Sequence, residues 1–209
     1  MTYLTIQTDG SQEEIIKKSR FICQVKRISS EDEGRAFIAT IKKEHYKANH
    51  SCSAMIIGEN STVKRSSDDG EPSGTAGVPM LTVLEKQGLT NVVAVITRYF
   101  GGIKLGSGGL IRAYSGVLAH TIDTLGKVQI KEQSLLDITL SYPQYQTFDH
   151  FIQDHKITLV DSQFTQEVIA RVSLDPDDIK QLTADLTDHY HGSIPIKDQG
   201  KLLVEVPVI

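Results

Sequence analysis

Apolar and polar positions along this chain alternate with two periods, and the points where the period switches mark its elements. Tyr3-Leu4-Thr5-Ile6 reads as a short strand and Gln7 to Ser11 as a polar turn. Between Ile15 and Ile28, an extended pattern centred on Phe21-Ile22-Cys23-Gln24-Val25 predicts two strands joined by a bend. Ser29-Ser30 ahead of Glu31-Asp32-Glu33 supplies hydroxyl caps, and acids where the helix dipole favours them. A helix is therefore expected to about His45, with Ala36, Phe37, Thr40 and Ile41 on its inner face. His50 to Ile57 predicts a strand and Thr62 to Arg65 its hairpin partner. Val78 to Lys86 repeats apolar residues at helical steps and stops at Gly88. The run Val92-Val93-Ala94-Val95-Ile96 lacks alternation and suits a central strand covered on both faces. Leu110, Tyr114, Val117, Leu118, Thr121, Ile122 and Leu125 mark one face of a helix that Gly126 ends.

The remainder repeats strand and helix more compactly. Leu135 to Leu140 predicts a strand, and Pro143 opens a helix with Tyr145, Phe148 and Ile152 inside. Thr158 to Asp161 and Val168 to Val172 predict two strands. A helix opened by Asp175-Pro176-Asp177-Asp178 and a strand at Leu202 to Val206 complete the chain. The order β-α-β-β-α-β is that of a ferredoxin-like domain. Charge supports a division: residues 1–133 hold 17 Lys plus Arg against 14 Asp plus Glu, net +3, while the rest hold 5 against 12, net −7. The expected domains are 1–130 and 131–209, in an α+β protein. An acidic second half repels polyanions, so nucleic acid would meet the first. No apolar run approaches the roughly 18 residues of a membrane helix. Cys23 and Cys52 are too few for a secreted disulfide framework. A cytoplasmic protein with no membrane contact is expected.

Candidate chemistry is concentrated in two glycine-bearing loops around the central strand, Ser66 to Gly77 and Arg98 to Gly109, and nine of the 16 glycines lie between Gly70 and Gly109. Glycine serves where φ must be positive or a ligand must touch backbone. Backbone N–H groups and a helix N-terminus attract anions. The phosphate-binding candidates are therefore Arg98, Tyr99, Gly101, Gly102, Lys104, Gly106, Ser107, Gly108, Gly109 and Arg112, with Lys17, Lys18, Arg20, Lys64 and Arg65 as possible neighbours. Tyr99 and Phe100 offer stacking surfaces. The alternatives are glycines that only permit close packing, and cations paired with acids on a solvated surface. Gly-x-x-x-x-Gly-Lys-[Ser/Thr] is absent, and the dinucleotide pattern from Gly106 fails at Ile111. His50, Asp68, Asp69 and Ser107 are weaker catalytic candidates, and no nucleophile and base pair stands out. Asp68, Asp69 and Glu71 suit a divalent cation less well than a turn bonding its own backbone. His50-x-Cys52 lacks the further ligands a structural zinc needs, so no metal and no cofactor is expected.

Ser67 to Gly77, Arg98 to Tyr114, Lys18-Ser19-Arg20-Phe21-Ile22 and Ala48-Asn49-His50-Ser51-Cys52 together resemble the signatures of the YigZ/IMPACT family in its bacterial two-domain form. The resemblance is close to about residue 130 and looser beyond. It implies an N-terminal domain like the left-handed β-α-β fold of a small-subunit ribosomal protein and of the fourth domain of elongation factor G. It also implies a C-terminal domain like that factor's fifth, ferredoxin-like domain. Eukaryotic relatives act in translational control during amino-acid starvation, partly through an extra N-terminal domain that this chain is expected to lack. For bacterial members the resemblance implies nucleic-acid or ribosome contact. The favoured reading is a non-enzymatic RNA- or ribosome-binding protein linked to translation regulation, acting through residues 1–130. The alternatives are a hydrolase or phosphotransferase holding a substrate phosphate in the Gly101 to Gly109 loop, and a module for a protein partner.

Overall fold

The computed structural model describes residues 2–155 and 157–208. It opens with strands β1 (Thr2–Ile6), β2 (Gly10–Ile16) and β3 (Ser19–Arg27). The last two form a hairpin in which Ile16 faces Ser19, leaving Lys17 and Lys18 as a two-residue turn. Both lysines have positive φ, 46° and 66°. That matches the twist such hairpins need, in a region non-glycine residues enter reluctantly. Helix α1 (Glu31–Glu44) follows, where Ser30 accepts from the Glu33 N–H and Glu33 in turn accepts from the Ser29 N–H. Then come β4 (His50–Ile57), β5 (Val63–Ser67), α2 (Gly77–Lys86), β6 (Val92–Tyr99) and α3 (Ser107–Leu125).

The sheet order is β2-β3-β6-β4-β5. β3 and β4 both run antiparallel to β6, so they are parallel to each other. With α1 between them in the chain they make a β-α-β unit that straddles β6. Side chains alternate across a strand. Val92, Ala94 and Ile96 of β6 thus join Phe21, Cys52, Met80, Leu84, Tyr114 and Leu118 in the core beneath α2 and α3. Val93 and Val95 face Ile41, Met55 and Ile57 under α1. The uninterrupted apolar run of β6 has this cause. β4 is buried on both faces rather than one.

Strand β7 (Lys127–Leu140) is longer than the expected Leu135 to Leu140. It precedes α4 (Tyr142–Asp154), β8 (Thr158–Phe164), β9 (Val168–Leu174), a 3-10 turn (Pro176–Asp178), α5 (Ile179–His189) and β10 (Ile196–Pro207). β7 pairs with β9 and with β10, and β8 lies beyond β9. Leu136, Ile138 and Leu140, from one face of β7, pack with Phe148 and Phe151 of α4 and Leu182 and Leu186 of α5. The β-α-β-β-α-β order holds. Two compact units result, one reaching Ile130 and a second spanning Lys131–Val204. Residues 205–208 return to the first unit, where Glu205 pairs with Arg27 at 2.5 Å. The boundary between the units falls within β7. Among the described residues, no helix is long and apolar enough to cross a membrane.

Candidate functional site

Period-2 alternation carries Arg98 onto the same face of β6 as Val92, Ala94 and Ile96, which points a guanidinium into the core. It is 5% exposed, and such a charge must find a partner. Arg98 Nη1 donates to Glu71 Oε1 at 2.7 Å, and Nη2 donates to Ser19 Oγ at 3.2 Å. The Tyr114 hydroxyl donates to the same Glu71 oxygen at 2.8 Å. The guanidinium also lies over the Phe21 and Phe100 rings, 5.4 and 5.5 Å from their centroids. Burial, with the Glu71 carboxylate nearby, drives the Tyr114 hydroxyl well above its ordinary pKa, so it stays a donor. Arg98 is therefore not the surface cation expected of it. It is the buried half of an ion pair that ties β6 to the first glycine loop.

The other short motifs meet at this pair. Ser19 Oγ also accepts from the Gly101 N–H at 3.3 Å. Asn49 Oδ1 accepts from the Phe100 N–H at 2.8 Å, and the Asn49 N–H donates to the Arg98 carbonyl at 3.0 Å. A Cβ on Gly101 would stand 1.9 Å from the Lys18 carbonyl oxygen. Gly101 is thus a packing glycine, and its close approach sets the exposed Lys17-Lys18 turn against the second loop.

Asp68 and Asp69 serve the first loop rather than the cleft. The Asp68 carboxylate accepts from the N–H groups of Gly74, Ala76 and Gly77, where α2 begins. Burial acts to raise its pKa, and these three donors outweigh that and hold it below the ordinary Asp value. Asp69 accepts from the Ser51 N–H and from Lys42, both at 2.6 Å, and is likewise held low against its burial. Both carboxylates are committed to these donors, which removes them from the ligand set of the cation alternative. Cys52 donates to the Asp68 carbonyl. Burial pushes its thiol, like that of Cys23, up to about 12; both are inert.

A cleft of about 390 Å³ opens beside the Arg98–Glu71 pair, lined by His50, Pro72, Phe100, Lys104, Gly106 and Ser107 among others. His50 Nδ1 bonds the Asp69 carbonyl at 2.9 Å, and Nε2 lies 3.9 Å from Glu71 Oε2. The floor of the opposite wall is the start of α3. Gly106, with φ of 73°, caps it without a side-chain hydrogen bond, and its first turn holds no acid. The N–H groups of Ser107, Gly108 and Gly109 thus lie at an uncapped positive helix end. Lys104 and Arg112 are exposed there, with no acidic partner among the described residues. Of the expected residues, His50, Arg98, Lys104, Gly106 and Ser107 share the cleft. Gly102 adopts φ of 85° in open space. Tyr99 is half-buried, with its hydroxyl bonded to His45 and Arg20 over its ring, so the exposed aromatic is Phe100. Lys64 and Arg65 pair elsewhere, with Glu85 and Glu31.

Sequence reasoning missed the roles of Glu71, Ser19, Asn49 and Tyr114. The available signal was Tyr114 itself, a hydroxyl on an otherwise apolar helix stripe that needs a buried partner.

The comparisons with known proteins agree with these motifs. The Impact N-terminal domain model matches residues 17–122, and the model of a domain of unknown function, DUF1949, matches residues 138–193. The IMPACT family member YvyE of Bacillus subtilis is 39% identical over 197 residues, covering 94% of this chain and 91% of its own. The IMPACT family member YigZ of Escherichia coli is 33% identical over 185 residues, covering 88% and 91%. A crystal structure of a hypothetical protein, 31% identical, superposes with a TM-score of 0.60 over 93% of this chain and 96% of that one. On the strength of the matched models and of relatives alike along nearly their whole length, the chain belongs to the IMPACT family.

Proposed function

We propose that this protein binds RNA on the ribosome through its first unit and acts in translation regulation, as a binding protein rather than an enzyme. The observation that carries the reading is the uncapped, acid-free start of α3 opening into a cleft lined by Lys104, with Arg112 exposed on the same helix. Phosphate oxygens are what free backbone N–H groups, a helix dipole and unpaired cations jointly favour. The Lys17-Lys18 turn, fixed against Gly101, adds charge, and the exposed Phe100 ring offers a stacking face of the kind single-stranded nucleic acid uses. A phosphotransfer reading is less favoured. Ser107 has no hydrogen bond to a base among the described residues, and the thiols are buried and protonated. Family membership supports the link to translation, the process in which the eukaryotic relatives act. Co-sedimentation with ribosomal subunits at low salt tests the proposal. The wild-type chain is expected in the ribosomal pellet and the K104A/R112A variant largely in the supernatant. Wild-type protein that stays in the supernatant would defeat it.

A further inference from the structure

The cleft also holds two polar atoms, Glu71 Oε2 and His50 Nε2, that make no hydrogen bond among the described residues. The Glu71 side chain is 3% exposed, and its Oε1 takes both the Arg98 and the Tyr114 bonds. Its Oε2 accepts no hydrogen bond among the described residues and faces His50 Nε2 at 3.9 Å. The Asp69 carbonyl can only accept, so His50 Nδ1 carries the proton of that bond, and with the ring uncharged Nε2 presents a lone pair. Two acceptors thus face each other at the cleft wall, too far apart to bond and both in need of a donor. Oε2 opens on the cleft, where a ligand donor can reach it.

A hydroxyl or an ammonium group would satisfy the pair. Lys104 and the positive end of α3 share the cleft and repel an ammonium, whereas they attract an anion attached to a hydroxyl. The remaining wall is apolar, made by Pro72, Phe100, Leu105 and Leu110, and the Phe100 ring is held by the Arg98 guanidinium beneath it. An anion, a flat apolar face and a hydroxyl donor within one small cleft describe a ribonucleotide unit. In an RNA strand the 3′ oxygen is esterified, so the free donor on the ribose is the 2′-hydroxyl.

We propose that Glu71 Oε2 and His50 Nε2 form a ribose 2′-hydroxyl site that makes this protein prefer RNA to DNA. The proposal rests on the RNA-binding reading above and adds to it the basis of sugar discrimination. Phosphate goes to the Ser107, Gly108 and Gly109 N–H groups and Lys104, the base goes to Phe100, and the 2′-hydroxyl donates into the Glu71–His50 gap. Glu71 is held by Arg98 and Tyr114, so the acceptor is in place before the ligand arrives.

The test is fluorescence anisotropy with the full chain and single-stranded oligonucleotides of one sequence, made as RNA, DNA and 2′-O-methyl RNA. The methyl ether removes the donor and keeps the oxygen. RNA is expected to bind about ten-fold more tightly than either analogue, the scale of one hydrogen bond to a charged acceptor. His50→Ala should narrow that ratio, while K104A should weaken all three ligands alike and preserve the ratio. RNA and DNA bound within two-fold of each other by the wild-type chain would overturn the ribose site and leave RNA binding intact. So would a ratio unchanged in the His50 variant. Binding of none of the three at low salt would overturn both readings together.

Discussion

The buried Arg98–Glu71 pair makes the sharpest prediction about stability, and one that separates folding from ligand binding. Arg98→Ala leaves the buried Glu71 carboxylate with the Tyr114 hydroxyl as its one remaining donor among the described residues, and it frees Ser19 Oγ and the faces of Phe21 and Phe100. Breaking a buried pair by removing one partner costs about 3–5 kcal/mol, because the surviving charge is stranded away from water. In a chain of this size each kcal/mol moves Tm by about 2–4 °C, so a fall on the order of 10 °C is expected in the transition of the first unit. The triple replacement R98M/E71L/Y114F removes both charges and the orphaned hydroxyl, and should recover most of that loss. Thermal unfolding followed by circular dichroism reads both variants. A cost below about 1 kcal/mol for Arg98→Ala would mean that the pair is not closed in solution, and the reasoning here would fail. Loss of RNA binding in an Arg98 variant would therefore report folding, which is why Lys104 and Arg112 are the residues to change.

Asp68→Asn should lower stability at pH 7 by about 1–3 kcal/mol, since an amide cannot serve the three N–H donors as a carboxylate does. The folded pKa of Asp68 is depressed, so its contribution is present above the unfolded value, about 4, and is lost as pH falls through the lower folded value. Urea unfolding of wild type should thus weaken below about pH 4 more steeply than that of D68N; parallel curves would contradict the capping role. Gly101→Ala should be far more damaging than Gly102→Ala in a thermal melt. The first puts a Cβ onto the Lys18 carbonyl, and the second meets open space and bears only the cost of a positive φ, about 1–2 kcal/mol. Equal losses would refute the packing role of Gly101. Cys23 and Cys52 should resist an aromatic disulfide reagent at pH 8 and both react in denaturant; fast reaction of either in the native protein would show that the loop over Cys52 or the core around Cys23 opens.

Much of the fold was legible because it rests on local pattern. The apolar run of β6, the stripe of α3 and the caps of α1 each name their own element. β2 was harder to see. Gly10–Ile16 is a polar edge strand that needs only β3 as a partner, so it shows no apolar alternation of its own. β10 likewise runs past its apolar segment with most of its residues exposed, whereas β7 is an interior strand that begins at Lys127, with Val128 and Ile130 buried ahead of the expected segment. At the site, the lining of the cleft by His50, Lys104 and Ser107 followed from the two loops. The burial of Arg98 did not, because its partner Glu71 lies 27 residues away in a loop without periodicity. Read alone, an arginine at the end of an apolar strand is equally a surface cation. The register of β6 does decide it: two steps beyond Ile96 the side chain must enter the α2–α3 face. Of the two readings of the loop acids, the turn that bonds its own backbone is the one the structure has. Asp68 and Asp69 sit beside Glu71 in sequence, but their carboxylates are taken by backbone donors and by Lys42.

The central claim is that phosphates of RNA meet the start of α3. The most direct test is the salt dependence of RNA binding by the wild-type chain, K104A, R112A and a K197A control in the acidic unit. Log affinity should fall linearly with log salt in the wild type, and K104A and R112A should each flatten the slope by about 0.7 for a single strand, with K197A unchanged. A wild-type chain that binds no RNA at low salt, or slopes that K104A and R112A leave untouched, would contradict the account.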